Sequence, residues 1–201
     1  PHSAYSYFLE LLYKYLLILT TIGISLDITT SILYNCGYNY TNIVYMLFSK
    51  LVFVYFILWV ILFAFYIKSI SIPEENKKKK LSSFFYRFAL LFIFIAPFIL
   101  AVPVNYSENN NIIVPKGLSV NITYLISFIL ILYSIYTSIR YRKNIAKNKT
   151  KPLYIFVILM LLNFFIQNFF PDLFLINYLL CIVVIIMYFT IENPDVKLIT
   201  Q

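Results

Sequence analysis

Residues 43–67 have the sequence IVYMLFSKLVFVYFILWVILFAFYI, and this stretch decides the fold class. It contains a single charged residue, Lys50. About 20 apolar residues in a row are enough for an α-helix to cross the hydrocarbon core of a bilayer. The strands of a membrane barrel are instead about ten residues long and alternate between apolar and polar side chains. The stretch does not alternate, so it predicts a transmembrane helix.

The composition of the whole chain is that of an integral membrane protein. Of its 201 residues, 62% are hydrophobic and 12% are charged, whereas soluble domains carry about 25% charged residues. The sequence predicts six spans, at about 15–34, 43–67, 84–104, 120–139, 153–170 and 173–191. We therefore predict an all-α fold, in which residues 1–191 form a polytopic membrane bundle of six transmembrane helices.

Positive charge is concentrated in alternate loops. Lys68 and the run 77–80 lie between the second and third predicted spans, and six further Lys and Arg residues lie in the loop 140–151. The two longer loops on the other side contain a single basic residue, Lys116. Since Lys and Arg in short loops mark the cytoplasmic side, both termini are predicted to be cytoplasmic.

This distribution also explains the net charge of +8. Topology accounts for the basic residues, with contact to anionic headgroups as a secondary role, so we expect a lipid bilayer and no nucleic acid as the partner. The abundance of Ile, Asn, Tyr, Phe and Lys is typical of an AT-rich genome and favours a bacterium. The predicted location is therefore the bacterial cytoplasmic membrane.

The sequence contains no pattern typical of catalysis or metal binding. The single histidine is His2, outside the spans, and three glycines are too few for a phosphate-binding loop. No His, Cys, Asp and Glu residues have the spacing of a metal site. We expect no catalytic residue, no metal and no cofactor in this segment, and two free thiols at Cys36 and Cys181.

Ionisable residues inside spans are candidate functional residues, because a charge at the bilayer centre costs about 2.5–3.5 kcal/mol on insertion scales. Asp27 and Lys50 each lie about seven residues from the outer ends of two antiparallel neighbouring spans. Their equal depth and opposite charge predict an intramembrane ion pair. The pair either fixes the helix register or responds to a ligand.

Four further polar side chains are predicted to line a ligand cavity that opens outward: Thr30, Asn163, Gln167 and Asn177. Asn163 and Gln167 are four residues apart and therefore share one face of a helix. The alternative interpretation is that these side chains hydrogen-bond between helices and hold the bundle together.

The final residues, 190–201, have the sequence TIENPDVKLITQ. Pro194 cannot continue a helical hydrogen-bond ladder, and it disfavours the α conformation at Asn193. Asn is a good N-cap, Pro is favoured at the first helical position, and Asp195 suits the start of the helix dipole. Residues 192–201 are therefore predicted to begin a cytoplasmic linker helix, and Asn193, Pro194 and Asp195 to form a signal-transmitting joint.

Residues 190–197, TIENPDVK, resemble the junction between the last span and the linker of Firmicute-type sensor histidine kinases. The resemblance implies the input domain of a two-component sensor, a homodimer and a cognate response regulator as partner. ATP and Mg are expected only in a kinase domain beyond Gln201. The plan of six spans with Asp27 in the first is also similar to that of membrane-anchored diguanylate cyclases.

We therefore expect the chain to be the membrane-embedded signal-input domain of a sensor histidine kinase. An unknown small molecule or membrane signal would pass through the last span and the Asn193–Pro194 joint to the kinase. Whether the chain belongs to an enzyme stays open, because this segment has no catalytic residues. The alternatives are a substrate-capture subunit of an energy-coupling-factor transporter, the input domain of a diguanylate cyclase, and a membrane-bound assembly partner.

Overall fold

The computed structural model describes residues 2–38, 42–72, 77–109, 112–141, 147–169 and 176–189. These ranges contain six α-helices and one β-hairpin. The helices are α1 (His2–Asn35), α2 (Ile43–Ser71), α3 (Lys77–Ala101), α4 (Leu118–Arg140), α5 (Lys147–Phe169) and α6 (Ile176–Met187). Each predicted span overlaps one of these helices in chain order, so the helical fold class is confirmed.

Four helices are long and apolar enough to cross a membrane. Over the described ranges these segments are Tyr7–Asn35, Ile43–Ser71, Leu81–Ala101 and Leu118–Arg140. The last two helices contain shorter apolar segments, Lys151–Asn163 and Ile176–Met187. The structure therefore supports association with a membrane, while the count of six spans and the orientation of the termini stay predictions.

Helix α2 is the centre of the bundle. It contacts α1, α3, α4 and α5. In its apolar segment 67% of the residues are buried, whereas in that of α3 only 11% are buried. Trp59 of α2 is completely buried and stacks on Phe63, with ring centroids 5.3 Å apart. Phe156 of α5 packs against both rings, at 5.4 and 4.8 Å. The most apolar of the four long helices is thus enclosed by protein, and α3 is left largely exposed.

The ends of α2 follow from local sequence. Asn42 caps its start, since the Asn42 side-chain oxygen accepts a hydrogen bond from the Val44 N–H at 2.8 Å. At the other end Ile72 is extended. Ile72 precedes Pro73, and a proline disfavours the α conformation in the residue before it.

A β-hairpin between α3 and α4 is a difference from the predicted all-α fold. Strand β1 (Asn105–Asn109) pairs antiparallel with β2 (Ile112–Lys116), in a register that places Asn105 opposite Lys116. The two residues between the strands are Asn110 and Asn111, which lack the glycine of the strongest hairpin signals, and the hairpin was not predicted. Gly117, between the hairpin and α4, has φ 121°, which glycine adopts more readily than other residues.

Candidate functional site

Asn177, in the first turn of α6, is the centre of a buried polar cluster. The residue is completely buried. Its Nδ2 donates to the main-chain oxygen of Gly23 at 3.2 Å and to Oδ2 of Asp27. Its Oδ1 accepts a hydrogen bond from the hydroxyl of Tyr55. Both N–H donors and the oxygen of this amide are therefore used, and the cluster joins α1, α2 and α6.

The α1 side of the cluster is built by helical spacing. Thr20, Gly23 and Asp27 lie on one face of α1, because offsets of three and seven residues are close to whole turns of 3.6 residues. On α2, Tyr55 and Trp59 are four residues apart and both meet this face. The indole N–H of Trp59 donates to Thr20 Oγ1 at 2.9 Å, so the two helices are joined at a second level.

Gly23 permits the close approach of Tyr55. A Cβ atom placed on Gly23 would overlap the Tyr55 ring. The absence of a side chain lets the ring pass directly over α1, as small residues do where membrane helices pack closely. The same position leaves the Gly23 carbonyl open to the amide of Asn177. A side chain at position 23 would therefore require the Tyr55 ring to move.

The structure gives Asp27 and Lys50 different partners and does not bring them together as the predicted ion pair. Asp27 accepts a hydrogen bond from Asn177, whereas Lys50 Nζ donates to the main-chain oxygen of Leu100 at 2.7 Å. The prediction was based on the equal depth of the two residues in the membrane and did not consider which face of its helix each residue occupies. Lys50 lies five residues from Tyr55, about 140° around α2, so it meets α3 while Tyr55 meets α1.

Lys50 has a structural role at the end of α3. The last four carbonyl groups of an α-helix have no partner within the helix, and Leu100 lies one residue before the end of α3 at Ala101. The Lys50 ammonium supplies the missing donor at this carbonyl. Its positive charge also suits the negative end of the helix dipole.

The residues predicted to line a ligand cavity have separate environments. Thr30 makes a local bond within α1, with Oγ1 donating to the main-chain oxygen of Asp27 at 2.9 Å. Asn163 is buried in α5, and its Oδ1 has no hydrogen-bond partner in the described part of the chain. Asn177 belongs to the polar cluster. The side chain of Gln167 lies outside the described residues.

The predicted joint and linker are also outside the described residues, since the description ends at residue 189. Asn193, Pro194 and Asp195 therefore stay predictions.

Tyr55 and Gly23, which both bond Asn177, were not predicted from the sequence. Tyr55 is one of 19 tyrosines and has no local signal that separates it from the others. Gly23 has such a signal, because it is one of three glycines in the chain and lies in the middle of a span, between Thr20 and Asp27. A small residue between two polar positions on the same face is typical of a close helix contact.

The chemistry available to the cluster is hydrogen bonding between helices. Asp27 has an amide donor as its side-chain partner, and the described residues contain no group of His, Cys, Asp and Glu side chains that could hold a metal ion. Each hydrogen bond of Asn177 joins two helices, so a relative movement of those helices would change or break it.

Comparison with protein-family models, with curated proteins and with solved structures finds no match for this chain.

Proposed function

We propose that the chain is the membrane-embedded signal-input domain of a two-component sensor histidine kinase, and that α6 carries the signal toward the cytoplasm. One observation carries the proposal: the side-chain amide of Asn177, at the start of α6, is bonded by groups of both α1 and α2. A displacement of either helix must move α6 or break a buried hydrogen bond. Leaving a buried polar group without its partner costs about 1–3 kcal/mol.

The far end of α6 gives a second support. Tyr188, immediately after α6, lies beside Tyr13 of α1, with ring centroids 6.3 Å apart. Between the two levels, Leu180 and Val183 are completely buried. Asn177 and Tyr188 are about 16 Å apart along the helix axis, at a rise of about 1.5 Å per residue. Contacts at both levels therefore hold α6 against α1. A tilt or shift that begins at Asn177 is therefore expected to reach residue 189 and the segment beyond it.

The wider proposal combines this coupling with the sequence. Six spans and cytoplasmic termini are predicted from the apolar segments and from the charge of the loops. A bacterial membrane is predicted from the abundance of Ile, Asn, Tyr, Phe and Lys. A homodimer, a response regulator and an ATP- and Mg-dependent kinase domain are implied by the resemblance of residues 190–197 to sensor kinases. The Asn193–Pro194 joint would pass the movement of α6 into the linker helix.

The test is autophosphorylation of the protein encoded by the complete reading frame, purified into lipid nanodiscs. Asn177→Leu removes all three hydrogen bonds, and we expect it to change the basal rate of autophosphorylation several-fold. The matched control is Tyr178→Ala, the next residue of α6, whose side chain is 56% exposed. We expect the control to leave the rate unchanged.

Two results would overturn the proposal. A reading frame without a kinase domain beyond Gln201 would remove the output and favour a transport or assembly role. Equal rates for the wild type, Asn177→Leu and Tyr178→Ala, with all three proteins folded by circular dichroism, would show that the cluster does not communicate with the kinase.

A further inference from the structure

A cationic groove lies between α2, α3 and α4, at the end of the bundle where α2 and α4 end and α3 begins. Its volume is about 810 Å³, and its charged lining consists of Lys68, Arg87 and Arg140. We call this site the cationic groove. The segments that follow α2 and α4 contain the basic residues Lys77–Lys80, Arg142 and Lys143, and the first also contains Glu74 and Glu75. The excess of Lys and Arg predicts that this side faces the cytoplasm.

Lys68 is held in place by aromatic groups. Its ammonium donates to the hydroxyl of Tyr133. It also lies 4.0 Å from the ring centroid of Phe84 and 5.0 Å from that of Tyr133. Contacts of this kind attract and orient a cation through the negative face of the ring. They leave its full positive charge in the groove.

The two arginines add further positive charge. Arg140 donates to the hydroxyl of Tyr136 at 3.0 Å, and Arg87 is exposed. Among the described residues, neither forms an ion pair, and none of those that line the groove is Asp or Glu. Three like charges around one cavity repel each other, and a bound anion relieves that repulsion.

The donor groups suit a phosphate group. A guanidinium presents paired N–H donors that match phosphate oxygens, and an ammonium acts as a point charge. Ser83 also lines the groove. Farther along α3 the lining becomes apolar, with Phe88 and Leu91. A ligand with a phosphate at one end and an acyl chain at the other would contact both parts, whereas free phosphate would contact only one.

We propose that the cationic groove binds the phosphate headgroup of an anionic phospholipid from the leaflet on that side. Phe88 and Leu91 would then lie along the first part of an acyl chain. The proposal uses the membrane placement of α2, α3 and α4, and it is independent of the kinase assignment. It goes beyond topology, because a charge that only sets orientation needs no cavity between three helices.

The experiment uses the 201-residue chain in mild detergent, with native mass spectrometry to count bound lipids. Phosphatidylglycerol and phosphatidylcholine with identical acyl chains are titrated separately, and we expect clear preference for phosphatidylglycerol. Arg87→Gln should weaken binding of phosphatidylglycerol about fivefold, and removal of three charges, as Lys68→Gln, Arg87→Gln and Arg140→Gln, about a hundredfold. Binding of phosphatidylcholine should not change.

The control is a triple variant, Lys14→Gln, Lys116→Gln and Lys151→Gln, which removes three positive charges outside the groove. It should leave the binding of phosphatidylglycerol unchanged. An equal loss in this control would overturn the proposal, because general charge would then explain the preference. Displacement of the lipid by millimolar inorganic phosphate would overturn the lipid assignment in favour of a soluble anion. Arg87 is exposed, so Arg87→Gln should fold even if the triple variant does not, and unchanged binding in this variant would also refute the site.

Discussion

The hydroxyl of Tyr55 in α2 donates a hydrogen bond to Oδ1 of Asn177 at the start of α6, across 122 residues of sequence. Both residues are buried. The same amide contacts Gly23 and Asp27 of the first helix. One polar side chain thus joins three helices of the bundle.

Removing the Tyr55 hydroxyl should destabilise the bundle. In Tyr55→Phe the oxygen of Asn177 keeps its burial and loses its donor, so we expect a loss of about 1–3 kcal/mol in the free energy of unfolding. The measurement is denaturant-induced unfolding in detergent, followed by circular dichroism. Tyr178→Phe is the control, because that side chain is 56% exposed, and equal losses in the two variants would contradict the assigned role of the buried hydroxyl.

Gly23→Ala should interfere with the packing of α1 against α2. The added methyl group would overlap the Tyr55 ring, and overpacking of a buried site costs about 1–3 kcal/mol. Thermal unfolding in detergent measures the loss. The comparison is Ser25→Ala, at an exposed position of α1, which should have little effect.

A double-mutant cycle identifies the cause of the Gly23→Ala effect. In a Tyr55→Leu background the ring is absent, so Gly23→Ala should cost less than in the wild type. If the two substitutions are additive, the close approach of Gly23 and Tyr55 is not what limits this position.

The bond between Thr20 and Trp59 should be visible in fluorescence, because Trp59 is the single tryptophan of the chain. Thr20→Val removes the acceptor of the indole N–H with little change in shape. We expect a blue shift of the emission maximum and a loss of about 1–3 kcal/mol in stability, because a buried donor is left without a partner. Thr21→Val is the control, since Thr21 is exposed on α1, and the same spectral shift in both variants would argue against the bond.

Asp27 and Lys50 should behave as independent sites. They share no partner among the contacts described for them, so the effects of Asp27→Asn and Lys50→Met on the free energy of unfolding should add to within about 0.5 kcal/mol. A direct ion pair predicts a clear coupling energy and recovery of stability in the charge swap Asp27→Lys with Lys50→Asp. Observation of either would restore the ion-pair hypothesis.

The sequence was sufficient for the helical fold class, for the apolar character of the helices and for their approximate positions. Apolar runs such as 43–67 are long, unbroken and bounded by polar loops, and these properties depend only on the order of residues along the chain. The depth of a residue in a span follows from the same count, since each residue advances a helix by about 1.5 Å. Asp27 and Asn177 were therefore identified as unusual polar residues.

The tertiary structure alone decided which of these residues meet. A partner depends on how each helix is rotated about its own axis and on which helix lies beside it, and neither quantity is contained in a hydropathy pattern that is apolar on every face. Thus Asp27 bonds Asn177 of a helix distant in sequence, while Lys50, at a similar predicted depth, bonds the end of α3. The central place of α2 and the contact of Tyr55 with Gly23 likewise arise from packing between helices, because close packing selects faces that the sequence leaves equivalent.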